Sequence, residues 1–181
     1  MNELMARWVS DAKILLILNS DAWNEQELAL YFISPILGLT HFTEPYRFNL
    51  FAERRISAVV SGHDADVGLS GEPDGLIATG YREPEVPMFA FTKYKRELDP
   101  NGDPVGQTLA AMLVGQALNG NQNPLYGAYV IGSDWHFMVL DAHHYAISRD
   151  YSALSDEIFA ILRILKALKQ IVMKLTEPRA L

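Results

Sequence analysis

The sequence predicts an α/β protein in which helices cover both faces of a central mixed sheet. Three observations predict it. Helix-periodic segments stand before, within and after a run of strands. The strand-like segments are separated by Gly, Asp, Asn and Pro clusters that read as turns. A long amphipathic stretch then closes the chain. The expected order is α-α-β-β-β-α-β-β-α, which layers helices on a mixed sheet.

Residues 3–19 read as a helix with Trp8, Ala12, Leu15 and Leu16 near one face. Asn24 followed by Glu27 fits a capping box and opens a second helix that runs to about Leu37 and ends at Gly38. Pro35 is expected to distort its last turn. Residues 47–60 alternate and are rich in Phe, Ile and Val, which predicts one strand. Gly62-His63-Asp64-Ala65-Asp66 is a turn, and Val67–Thr79 returns as the second strand of a long hairpin. Pro84 and Pro87 mark a loop before a third strand, Met88–Arg96. Asp99-Pro100-Asn101-Gly102-Asp103 is turn chemistry. Residues 106–118 form a helix, and 125–131 and 135–140 form a hairpin across Gly132-Ser133-Asp134. Residues 152–175 form a long helix with an apolar stripe from Leu154 through Leu162 and Leu165 to Val172. The tail from Glu177 to Leu181 looks disposable.

The 181 residues suit one domain with a full hydrophobic core, spanning 1–181. A net charge of −7 supplies no global field for nucleic acid, so any such role needs a local basic patch. The chain has no cysteine, which excludes disulfides, thiolate metal sites and thiol nucleophiles. The apolar run Ile14–Leu18 is too short to span a bilayer, and no secretory leader is expected at the N-terminus. A soluble cytoplasmic protein is the expectation.

Two segments carry chemistry. Gly71-Glu72-Pro73-Asp74-Gly75 puts an acid at the end of a strand-like run, and Phe89–Glu97 is a strand ending in closely spaced charges. Together they resemble the core of the PD-(D/E)XK nuclease superfamily, the restriction-endonuclease-like fold. In particular they are similar to the N-terminal nuclease domains of type I restriction subunits and related small bacterial proteins. The resemblance covers roughly residues 24–140. It implies a bacterial protein acting on DNA by magnesium-dependent phosphodiester hydrolysis. Asp74 would bind the metal, Lys95 would orient the attacking water, and Gln107, near the start of the following helix, would position substrate or water. An acid on the first core helix sometimes completes such a site, and Glu27 is the match.

The resemblance fails at one position. The family's second acid falls at Lys93, so the triplet is Lys93-Tyr94-Lys95. An ammonium ~4 Å from a divalent ion repels it by about 2 kcal/mol even in water, and the substitution also removes a ligand. An ion pair from Asp74 to Lys93 or Lys95 is one expected outcome. The other is a relocated acid: Glu72, on the same face as Asp74 if the strand is regular, or Glu27, with Glu97 a weaker candidate. Arg54, Arg55 and Arg96 are candidate phosphate contacts by charge alone. The function expected is therefore a nuclease-like protein with a degenerate site. The competing expectation is a non-catalytic nucleic-acid- or protein-binding assembly module.

Plainer readings stand beside these. Glu27 can be a cap alone, Asp74 a turn or bulge residue, and Gln107 an ordinary first-turn residue. Lys93, Lys95 and Arg96 can form a solvated edge or an ion-pair network. The five histidines have no metal-site spacing; His143-His144 reads as a turn and His136 as structural. No phosphate-cradling glycine loop is present. Tyr126, Tyr129, Trp135, Phe137, Tyr145 and Tyr151 can stack on single-stranded nucleic acid but at strand spacing more often pack a sheet. Phe159, Ile164, Ile171 and Met173 widen the apolar side of the last helix, which predicts a homodimer through it.

Overall fold

The computed structural model describes residues 3–62, 65–98 and 102–177. It is an α/β structure with a mixed seven-stranded sheet flanked by helices on both faces. The chain opens with helix α1 (Glu3–Asn19). A helical segment follows in three parts: α2 (Glu25–Leu28), a π-helical turn (Ala29–Ile33) and α3 (Ser34–Gly38). Strands β1 (Asn49–Ala52), β2 (Ile56–Ser61), β3 (Asp66–Gly71), β4 (Gly75–Thr79) and β5 (Glu85–Lys95) come next. Helix α4 (Pro104–Leu118) precedes β6 (Leu125–Ile131), β7 (Asp134–Asp141), β8 (His144–Ile147) and β9 (Tyr151–Ser152), and α5 (Ile158–Leu175) ends the fold.

The main sheet runs β1-β4-β5-β6-β7-β8, with β9 also pairing β7. Among the described strands only β5 and β6 pair in parallel, as a strand–helix–strand crossover through α4 requires. One face is buried by α1, the α2–α3 segment and α5, through Val9, Leu28, Phe32, Ile36, Ile161 and Leu165. The other is buried by α4, through Ala111, Met112 and Val114 against Leu76, Phe91 and Leu125. Strands β2 and β3 form a separate ribbon laid over α4.

Several expectations change. The strand expected over 47–60 breaks at Glu53-Arg54-Arg55, where Glu53 takes φ +50°. The expected long hairpin is thus two pairings, β1 with β4 and β2 with β3. The third strand starts at Glu85, ahead of the Pro87 expected to lie in a loop. The expected turn at His143-His144 includes the start of a strand, β8, whose four residues are all exposed. The last helix begins at Ile158 instead of 152, because Tyr151 and Ser152 pair with Trp135 and Asp134. Its added width is absorbed in part by the core, against which Phe159 and Met173 pack. In α1 the inward face is Val9 and Leu16, while Trp8 and Leu15 point outward. Of the turns expected at 62–66 and 99–103, residues 63–64 and 99–101 lie outside the described residues, as does the tail from 178. No helix among the described residues is long and apolar enough to cross a membrane.

Candidate functional site

Asp74 sits just before β4, where the chain enters the sheet. Its backbone N–H donates to Thr92 O at 2.9 Å, which fixes it against β5. Gly75 keeps that approach open: a Cβ there would stand 2.5 Å from Thr92 Oγ1 and 3.2 Å from the Tyr94 hydroxyl. The Asp74 carboxylate then lies along β5. Lys93 Nζ donates to its Oδ1 at 2.6 Å, and the Tyr94 backbone N–H donates to its Oδ2 at 2.5 Å. The Lys93 and Asp74 side chains are 19% and 22% exposed. Each carboxylate oxygen therefore holds a short, charge-assisted bond away from bulk water.

Tyr94, next along the strand, is buried with its hydroxyl 3.0 Å from Thr92 Oγ1. Burial holds its phenol protonated well above the ordinary tyrosine range; the Thr92 bond offsets part of this and the Asp74 charge adds to it. Lys95, also buried, donates to Glu25 Oε1 at 3.2 Å in the first turn of α2. Glu25 had no assigned role in the sequence reading. Glu27 is committed elsewhere: its Oε2 accepts from Asn24 N–H, and its N–H donates to Asn24 Oδ1, both at 2.9 Å. The capping box thus engages Glu27 and leaves Glu25 as the first-turn acid that meets the sheet.

Two clefts flank this junction. The larger, about 570 Å³, is lined by Glu25, Glu53, Asp74, Tyr94 and His41 among others. The second, about 470 Å³, lies between α4 and the β3–β4 connection and is lined by Glu72, Lys93, Asp103 and Gln107. Glu72 therefore does not share a cleft with Asp74. Residues 72–74 are outside the strands with Pro73 buried between them, so strand alternation does not apply there. Gln107 is exposed on the first turns of α4, in the cleft with Lys93. Glu97 is exposed beyond the end of β5.

The candidate arginines stand at the ends of strands. Arg54 Nε lies 3.3 Å from Glu83 Oε2, Arg55 is exposed, and Arg96 is half-buried after β5. Among the described residues, no arginine lines either cleft. The aromatic set is mostly packing: Tyr129 and Trp135 are buried, and Tyr126, Phe137 and Tyr151 pack against the core, while Tyr145 is exposed. Tyr129 stacks on His136 with ring centroids 4.5 Å apart. Burial, with the Asp103 charge adding, raises the Tyr129 phenol pKa.

The magnesium that the nuclease resemblance implies does not fit these residues. A divalent ion takes open carboxylate oxygens in octahedral array. Here both Asp74 oxygens are engaged, one by an ammonium; Glu25 is paired to Lys95, and Glu27 is a cap. Among the described residues, no group of three or more His, Asp or Glu is placed to hold a metal ion.

No family model and no curated protein matches this chain. Among solved structures it is similar to one described as the crystal structure of SSO0001, at 14% identity and a TM-score of 0.31, over 86% of this chain and 61% of that one. The chain thus spans less than two-thirds of that protein's length.

Proposed function

We propose that this chain is a nuclease-like scaffold in which a lysine has taken the metal's place, and that it works by binding a macromolecular partner instead of cutting one. The supporting observation is the Lys93 Nζ–Asp74 Oδ1 contact at 2.6 Å. The ammonium neutralises the acid that would otherwise attract a divalent ion and engages one of its two oxygens. The partner class favoured is protein over nucleic acid. The larger cleft presents Glu25, Glu53 and Asp74, the chain carries −7, and no candidate arginine lines that cleft. Such a surface offers no cluster of free cations for a phosphate backbone.

A second reading, weak metal-dependent hydrolysis of DNA, is favoured by one observation: three carboxylates line the same cleft. Titration calorimetry with magnesium and manganese separates the two. The expected result is no binding heat for the wild type or for Asp74→Ala, and new binding for Lys93→Glu. Wild-type binding that disappears in Asp74→Ala would overturn the proposal and lead to cleavage assays on DNA and RNA.

A further inference from the structure

Among the described residues, none covers the outer face of α1. Leu4, Trp8, Ile14, Leu15 and Leu18 are 67, 57, 56, 41 and 71% exposed. At about 100° per residue they fall within one arc of roughly 120°, opposite the buried Val9 and Leu16. Leu30 and Tyr31, on the π-helical turn that packs beside α1, are exposed as well. The five α1 side chains alone leave on the order of 550 Å² in water, at the upper end of the roughly 300–600 Å² of a typical monomer's largest apolar patch. With Leu30 and Tyr31 added the exposed area approaches the ~800 Å² that a standard interface hides on each partner.

We infer that a second copy of this chain covers this face, α1 against α1 in an antiparallel two-fold pairing. Area is the first argument. Spacing is the second: Leu4, Trp8, Leu15 and Leu18 fall on the alternating four- and three-residue steps along which two helices pack, with Asp11 at the middle step. Charge is the third. Arg7 and Asp11 lie on this same exposed face, one turn apart and of opposite sign. A two-fold pairing brings each Arg7 within a side chain's reach of the other copy's Asp11, so the face is complementary to itself. Nothing in this pairing involves the Asp74 junction.

The test is sedimentation or light scattering of the full chain over a concentration series, with circular dichroism to verify folding. The wild type is expected to reach dimer mass at tens of micromolar. Leu4→Lys with Leu18→Lys, both at exposed positions, is expected to be folded and monomeric. Arg7→Asp is expected to weaken the dimer at least tenfold, and adding Asp11→Arg to restore it. A wild type monomeric throughout would overturn the inference and leave the face to a different protein. So would a dimer that survives the lysine pair unchanged.

Discussion

Two lysines on one strand make the same kind of bond in different settings. Lys93 meets Asp74 inside the sheet margin, at 2.6 Å, with both side chains about four-fifths buried. Lys95 reaches out of the sheet to Glu25 on a separate helix, at 3.2 Å, and its partner is 41% exposed. The first pair is held by neighbouring strands, and the same carboxylate also accepts a backbone N–H, so its geometry is over-determined. The second holds two elements together and depends on both staying in place. Distance and burial, more than residue type, decide which pair carries free energy.

The largest expected effect comes from breaking the first pair. Asp74→Ala leaves a mostly buried ammonium and a backbone N–H without their acceptor. Urea unfolding should show a loss of about 3 kcal/mol. Asp74→Asn, which can still accept from the Tyr94 N–H, should recover part of it. The second pair should respond less: Glu25→Gln should cost about 1 kcal/mol, discounted because the carboxylate is partly in water. Double-mutant cycles at low and at molar salt sharpen the contrast. The Glu25–Lys95 coupling should fall strongly with salt and the Asp74–Lys93 coupling should change little. Equal responses would show that the two settings do not differ energetically.

The smallest effect belongs to a surface pair, 59% and 36% exposed, whose two residues lie eight apart in the chain and which serves as the limit of the comparison. Arg149 Nη2 lies 2.7 Å from Glu157 Oε1, and Ser152 N–H donates to Glu157 Oε2. The Arg149 bond, with the Ser152 bond adding, lowers the Glu157 pKa from its ordinary 4.5. A lowered carboxyl stabilises the fold above its unfolded pKa, and that contribution is lost as pH falls through the folded value. The small stability gap between wild type and Glu157→Gln should therefore be constant at neutral pH and close in acid, below about pH 4.5. Unfolding midpoints measured across that range check this, and a gap that widens in acid would overturn it.

The sequence made some of this legible for physical reasons. The succession of helical and strand blocks followed periodicity, though not the number of strands in each, and the Asp74–lysine pair followed from two lysines aligned opposite one acid. Asn24 and Glu27 announced the cap by spacing alone, and that cap was also the clue to Glu25, the first-turn acid it leaves over. The face of Glu72 was misread because Pro73 interrupts the strand and alternation fails there. Alternation also fails at the start of β5. Register shifts between Ile77 and Thr79 disturb the pairing, so Phe89 and Ala90, neighbours in sequence, join the same core cluster. Strand β8 was missed because its side chains are all exposed and its pairing with β7 is a tertiary matter. The outer face of α1 was hidden because residues 14–18 are apolar all round, and periodicity cannot say which side of such a helix is covered.

The π-helical turn at Ala29–Ile33 has a consequence for the whole junction. Such a turn holds one residue more than the α-helical path would, so everything on its N-terminal side is out of phase with everything after it. Ile36 and Leu37 are seated in the core beyond it, and Glu25 is aimed at Lys95 before it. Removing a single exposed residue there, such as Leu30, would re-phase the helix by about 100° and swing Glu25 off its lysine with no change to either charged side chain. The direction of that acid is encoded in a residue count.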